Sequence, residues 1–123
     1  MRVFKTKWFS RFASKEKIDD ASLAEAIKRA EKGLIDAELG GNLIKVRVAK
    51  KGQGRSSGYR TLIAYRKNKR AVFLYGFAKN ERDNIEDDEL ASLKEISAVW
   101  LKASDHDLKN SLSNGLLKEV TYE

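Results

Sequence analysis

Between Glu38 and Glu81 the chain has no acidic residue, and inside that stretch its apolar residues recur with a period of two. The period dictates extended chain, because alternate side chains of a strand point to opposite faces. The missing acids dictate that any sheet built from this segment carries unbalanced positive charge. Eleven cations lie within it: Lys45, Arg47, Lys50, Lys51, Arg55, Arg60, Arg66, Lys67, Lys69, Arg70 and Lys79. The whole chain carries +7, so the residues outside the stretch sum to −4. Like charges brought together by folding repel. A solvated face usually mixes signs, so this segregation points to a polyanionic partner.

The segment divides into three strands. Ile44, Val46 and Val48 alternate with Leu43, Lys45 and Arg47, which gives an apolar face and a largely cationic one. Gly52, Gly54, Ser56, Ser57 and Gly58 make a turn loaded with Lys50, Lys51 and Arg55. Tyr59 to Arg66 is the second strand, Lys67 to Arg70 a basic turn, and Ala71 to Ala78 the third strand. The third is the most apolar and is expected at the sheet centre. Short connections favour an antiparallel meander.

Helical signals flank the meander. Arg2 to Lys5 reads as a short edge strand, after which Trp8, Phe9 and Phe12 fall at helical spacing, expected as core. Ser22 and Glu25 have the spacing of a capping box, followed by an apolar stripe of Leu23, Ala26, Ile27 and Ala30, with Gly33 as the stop. After Lys79 the sign reverses. Glu86, Asp87, Asp88 and Glu89 precede Leu90, Leu93, Ile96, Trp100 and Leu101, which is the order of acids and apolar residues that suits a helix N-terminus. Asp105 is placed to cap a short further helix with Leu108 and Leu112, ended by Asn114-Gly115. Leu116 to Tyr122 reads either as a last strand or as a loose tail. The expected fold class is α+β. A small antiparallel sheet, the meander of about three strands plus the N-terminal edge strand, packs against two N-terminal helices and a C-terminal helix in one layer. Residues 1–123 are expected as one domain, with 104–123 either part of it or a C-terminal extension.

Composition prunes the chemistry. There is no cysteine, hence no disulfide framework or thiolate metal site. The single histidine, His106, lies outside the basic segment, which excludes a two-histidine nuclease and a histidine-rich zinc site. No metal and no cofactor is expected. No apolar run approaches the roughly 18 residues of a membrane span, and Met1 to Phe12 lacks the form of a secretory signal, so a cytoplasmic location is expected.

Phosphate is the natural counterpart of such a segment. Arginine meets phosphate oxygens two at a time, and lysine supplies a compact charge. Tyr59, Tyr65, Tyr75 and Phe77 fall among the cations as either core residues or stacking surfaces for bases. RNA can be cut without metal or histidine when its 2′-hydroxyl attacks the adjacent phosphate. The protein must then align the groups, neutralise charge on the phosphorane oxygens and move two protons. A lysine crowded by cations has a lowered pKa and can help with the last task. By charge alone, binding without cleavage looks the same.

Three runs carry a resemblance: Gly40-Gly41-Asn42-Leu43-Ile44-Lys45-Val46-Arg47-Val48-Ala49, Lys51-Gly52-Gln53-Gly54-Arg55-Ser56-Ser57-Gly58-Tyr59-Arg60, and Tyr75-Gly76-Phe77-Ala78-Lys79-Asn80-Glu81-Arg82. In order and spacing they resemble the RelE/HigB superfamily of toxins from type II toxin–antitoxin systems, closest to the HigB-type branch. The resemblance implies a RelE-like fold and a ribosome-dependent, metal-independent mRNA endoribonuclease that inhibits translation. It also implies a cognate antitoxin, helix-turn-helix and HigA-like, that silences the toxin and brings it to operator DNA only within their complex. By the same resemblance, Arg60 stands where the family places an arginine at the scissile phosphate, and Lys79 where it places a catalytic cation. Lys45 and Arg47 would hold RNA phosphates, and Lys50, Lys51 and Arg55 would touch ribosomal RNA. Arg82 and Tyr59 are further RNA-binding candidates. RelE-type members carry a tyrosine near the start of the C-terminal helix. Here that region reads Asp83-Asn84-Ile85-Glu86-Asp87, without a tyrosine, so no general acid or base is marked there; Tyr59 or Tyr75 is the candidate substitute, and Lys79 is a candidate for charge neutralisation or proton transfer. The alternative function is a non-catalytic or differently targeted basic module, ParE-like or a degenerate toxin, acting through antitoxin binding and operon control.

Overall fold

A computed structural model describes residues 1–50 and 58–123. The chain runs β1 (Arg2–Thr6), α1 (Lys7–Glu16), α2 (Asp20–Glu31), β2 (Ala37–Gly40), β3 (Leu43–Val48), β4 (Tyr59–Arg66), β5 (Arg70–Ala78), α3 (Asp87–Lys102), α4 (Asp105–Ser113) and β6 (Leu117–Val120). The strands form one six-stranded sheet in the order β2-β3-β4-β5-β1-β6. It is an α+β fold with the RelE-like order of helices and strands.

The meander is present as expected. β3 pairs antiparallel with β4, and β4 with β5. β5 is central, between β4 and β1, and its near-continuous apolar sequence suits burial on both faces. Three strands outside the meander correct, add to or settle the expectation. The first strand is not an edge: β1 lies between β5 and β6, parallel to the former and antiparallel to the latter, so the sheet is mixed. Val3 and Phe4 are both fully buried, one on each face, which an edge strand does not require. β2 was not anticipated. It joins β3 through Gly41 and Asn42, whose φ values of 62° and 61° meet the demand of a tight hairpin turn for two positive φ angles. The stretch after Leu116 is neither loose nor accessory, since β6 pairs with β1 and Leu117 and Val120 are buried.

The helices also do not form one layer. α1 and α2 cover one face, where Phe9, Leu23 and Ile27 meet Ile44, Val46, Ile63 and Phe73. α3 and α4 cover the other, where Leu101 and Leu108 meet Leu43, Leu62, Val72 and Leu74. The sequence shows why both faces need cover: Leu43, Leu62, Ala64, Val72 and Leu74 occupy the alternate positions of strands whose other face is equally apolar.

Local chemistry sets the helix ends. Thr6 caps α1 by accepting from the Phe9 amide. Asp19, not Ser22, caps α2, accepting from the Ser22 amide at 2.9 Å, while Glu25 turns to Arg29 one turn on. The acidic run does start α3, with Glu86 and Glu89 forming a capping box, and Ser104 rather than Asp105 caps α4. No helix among the described residues is long and apolar enough to cross a membrane.

One close approach fixes α1 on the sheet. A Cβ added at Gly76 would lie 2.6 Å from Phe12 Cε2. Gly76→Ala is therefore expected to push α1 outward and destabilise the fold by about 1–3 kcal/mol. Chemical denaturation of the variant beside wild type checks this, with a fall in midpoint at unchanged m-value as the expected result.

Candidate nucleic-acid interface

α3 rests chiefly on β4 and β5, and the apolar cluster it covers takes in Leu43, Leu62, Ala64, Val72 and Leu74 but not the close of β3, the start of β4 or the close of β5. In register, Arg47 lies opposite Arg60, and Arg60 opposite Phe77. Lys45 sits one row further in, opposite Leu62, on the same face. Diagonal neighbours on such a face are about 7–8 Å apart, within reach of long side chains. Ala78 pairs with Tyr59, so Lys79 leaves the sheet at the same end. Lys50 comes there too, its backbone nitrogen 2.9 Å from where a Gly58 Cβ would stand. Lys45, Arg47, Lys50, Arg60 and Lys79 thus gather at one end of the sheet. Lys51 and Arg55 lie outside the described residues.

The other cations of the acid-free segment are elsewhere. Six residues separate Arg60 from Arg66, about 20 Å along a strand. Arg66, Lys67, Lys69 and Arg70 surround the β4–β5 turn at the opposite end of the sheet. Arg70 Nη1 donates to the carbonyls of Trp100 and Ala103 at 2.8 and 2.9 Å, and Arg66 Nη1 reaches Leu101 O at 3.4 Å. These groups satisfy the open carbonyls at the C-terminus of α3. The segment is therefore not one patch. It supplies a cationic end and a helix clamp.

The cationic end is electrostatically costly. Like charges directly across a strand pair are unfavourable, and Arg47 and Arg60 are such a pair. Asp36 relieves one of them: Arg47 Nε donates to both of its carboxylate oxygens at 3.0 Å. Arg47 is thus already engaged by a carboxylate at the rim. Arg60 Nη1 is shielded from solvent, and Arg60 as a whole is half-buried.

Two sequence candidates turn inward. Tyr59 lies on the opposite face, 2% exposed, its ring edge-on to Phe12 and its hydroxyl donating to Glu16 O at 3.4 Å. Burial, foremost, and the proximity of Glu16 push its pKa up. It offers neither a stacking surface nor a proton to the cationic end. Arg82 is held within the protein. Its guanidinium donates to Glu89 at 2.6 and 3.1 Å, to Asn84 O at 2.8 Å and to the Tyr75 hydroxyl at 3.3 Å, and lies 5.6 Å from the centre of the Phe77 ring. Arg82 is a strut between the loop after β5 and the start of α3, not a side chain offered to a strand.

Sequence reasoning missed the orientation of Tyr75. A bulge lets Leu62 face Tyr75 while Ile63 faces Phe73, so Leu74 and Tyr75 both point to the α3 side. Tyr75 then stacks on Trp8, ring centres 4.6 Å apart, with its hydroxyl beside Arg82. Trp8, expected as core, is 46% exposed. An apolar cavity of about 400 Å³ opens between the two, lined also by Leu93, Ile96 and Trp100. No sequence signal marks a bulge in Phe73-Leu74-Tyr75, since every residue there is a good strand former. Among the described residues, no three acidic or histidine side chains converge where they could hold a metal ion.

The Arg82–Glu89 pair gives a pH prediction. The Arg82 hydrogen bonds, followed by the Glu86 amide, hold the Glu89 carboxyl below the usual carboxylate range. A carboxylate with a depressed folded-state pKa stabilises above its unfolded value, about 4.3, and that contribution is lost as pH falls through the folded value. Glu89→Gln should loosen residues 79–86 at neutral pH, read as faster amide hydrogen exchange. Wild type should approach the variant's protection only at acid pH.

A family model described as "RelE toxin of RelE / RelB toxin-antitoxin system" matches residues 1–120. The match takes in α4 and β6, which agrees with their place in the sheet, and it is to the RelE family as a whole, without singling out the HigB-type branch. Among curated proteins, none matches the chain.

Proposed function

This chain belongs to the RelE toxin family, the toxin half of a toxin–antitoxin pair, and from that premise we propose that it is a ribosome-dependent endoribonuclease that cuts mRNA. The observation that carries the reading is the convergence of Lys45, Arg60 and Lys79 at one end of the sheet. Such a cationic row suits a single RNA strand lying across β3, β4 and β5, with its phosphates toward the cations.

The reaction follows from the chain's own groups. The 2′-oxygen of one nucleotide forms a bond to its 3′-phosphorus, and the bond from phosphorus to the 5′-oxygen of the next nucleotide breaks. The products are a 2′,3′-cyclic phosphate and a free 5′-hydroxyl. The 2′-hydroxyl loses a proton and the leaving 5′-oxygen gains one. Arg60 stabilises the charge on the phosphorane oxygens, which its planar fork suits. Lys79 neutralises the same charge or protonates the leaving oxygen. Tyr75 carries the other proton, in place of the tyrosine absent from residues 83–87; Tyr59 is withdrawn from this role because it is packed in the opposite core. Arg82 positions the Tyr75 hydroxyl. Lys45, Lys50 and, beyond its Asp36 pairing, Arg47 hold flanking phosphates. The partner that silences this surface is the antitoxin of the pair; a HigA-like, helix-turn-helix antitoxin is the form the sequence motifs favour.

Removing one donor to a transition-state oxyanion typically costs about 10²–10³ in rate. Arg60→Ala should lower cleavage of mRNA on purified ribosomes by that order while leaving the fold intact. Tyr75→Phe, which keeps the ring stacked on Trp8, should slow the single-turnover cleavage step by about 10²-fold with ribosome binding retained. Full cleavage by Arg60→Ala would exclude the reading and favour a non-catalytic module.

A further inference from the structure

The cavity beside Tyr75 keeps apolar surface open that neither core uses. It is lined by Leu74 and Tyr75 from β5, Trp8 from the start of α1, Ile96 and Trp100 from α3, and Leu116 from the turn before β6. Few large apolar side chains are exposed among the described residues, and three of them, Trp8, Ile96 and Leu116, meet at this one cavity. Exposed apolar residues scattered singly need no explanation, but residues gathered around a hollow mark a ligand site. Trp8 is also held in place. Its ring stacks on Tyr75 at 4.6 Å and 28°, and on Phe12 at 5.5 Å and 15°. Fixed by these two rings, the indole does not fold down over the cavity, and nearly half of it stays open.

The cavity continues the cationic row. Phe77 stands opposite Arg60, the Tyr75 ring lies 6.3 Å from the Phe77 ring, and the Trp8 ring lies 4.6 Å from that of Tyr75. The pairing of β1 with β5 ends at Lys5 and Phe73, so a strand crossing β3, β4 and β5 leaves the sheet at Tyr75. There it meets Lys7, an exposed cation that lines the same cavity and has no ion-pair partner among the described residues. With Lys79 at the leaving oxygen, Tyr75 serves the attacking 2′-hydroxyl, and the ribose that bears this hydroxyl lies over Tyr75. From these placements we infer that the cavity between Trp8 and α3 is a nucleobase subsite, which takes the base of the nucleotide whose 2′-hydroxyl attacks. The lining offers ring and aliphatic surface, so it holds a base by stacking and contact rather than by reading its edge. Lys7 meets the phosphate of the same nucleotide. A seated base fixes its ribose over Tyr75, which lowers the entropy to be lost in reaching the attacking geometry. A protein side chain would fill the same walls but would leave Lys7 unanswered and the path from Arg60 without use.

This inference rests on the mRNA-cleavage reading, and the dependence of the rate on one base separates the two. The full chain is given, in single turnover on purified ribosomes, an mRNA and the same mRNA with an abasic ribonucleotide immediately 5′ of the cut. Wild type should cut the intact mRNA about tenfold faster or more. Trp8→Ala and Ile96→Glu, one from each wall, should bring the ratio of the two rates close to one. The ratio is the readout because a variant that only disturbs Tyr75 or the fold slows both mRNAs alike and leaves the ratio where it was. Retention of the wild-type ratio by either variant overturns the inference. Variants that keep the ratio but escape neutralisation by the antitoxin overturn it as well, and mark the cavity as a protein contact. Wild type that cuts both mRNAs at the same rate sinks the subsite alone; wild type that cuts neither sinks the cleavage reading and the subsite with it.

Discussion

Helix α3 is fastened at both ends by arginines, and its position decides which part of the sheet a ligand can reach. At its start, Arg82 joins Glu89, Asn84 and Tyr75. At its end, Arg70 and Arg66 meet the carbonyls that no further turn of helix satisfies. Between the clamps α3 seals the apolar rows of the sheet, including Leu43, Leu62 and Val72. Beyond that cluster lies the end where the same strands turn cationic. The boundary between core and groove is thus set inside single strands: Ala64 and Leu62 of β4 are covered, and Arg60, on the same face, is not under the helix core. Moving α3 by one turn would change the groove more than replacing any one of its cations.

The cationic end sets like charges together. Arg47 and Arg60 face each other across a strand pair, and among the described residues Asp36 is the carboxylate paired with Arg47. Surface ion pairs of this kind contribute little to stability, so Asp36 reduces the local field rather than anchoring the sheet. The stability resides in the two cores, and β5 belongs to both through Phe73 on one face and Val72 and Leu74 on the other. With folding supplied by apolar burial, the groove is free to hold charge that a polyanion completes.

Much of this was legible in the residues. The period of two located β3 and β4, the apolar run of Ala71 to Ala78 located β5, and the acids at 86–89 located the start of α3 because a helix N-terminus favours them. The second core was harder to see. Alternation implies one apolar face, and the apolar residues on the other face of β3 and β4 sit among cations that mask them. β2 is short, and its Ala-Glu-Leu-Gly sequence carries little strand preference. β1 looked like an edge because basic residues surround Val3 and Phe4, yet Arg2 is paired with Glu119 and Lys5 with Asp20, partners distant in sequence. At the candidate site, alternation along β3 put Lys45 and Arg47 on one face, and the pairing of β3 with β4 adds Arg60 to it. The same parity sends Tyr59 to the opposite core. The Arg82 pairing was hidden for a different reason: its cationic character was visible, but its carboxylate, Glu89, belongs to the first turn of α3.

The bulge in β5 ties these threads together. Had β5 been regular, the residue after Leu74 would face α1, and Tyr75 would join the first core. The extra residue turns Tyr75 to the α3 side, restores Gly76 to the face where Phe12 needs room, and returns Phe77 to the row of Arg60. One irregularity therefore sets the proton-bearing hydroxyl beside Arg82, seats α1 close enough for Trp8 to stack on Tyr75, and aligns the cationic row. α1 and the cationic row are thus indexed to the same three residues of β5, and the packing of Trp8 and Phe12 on Tyr75 and Gly76 holds the two in a fixed relation.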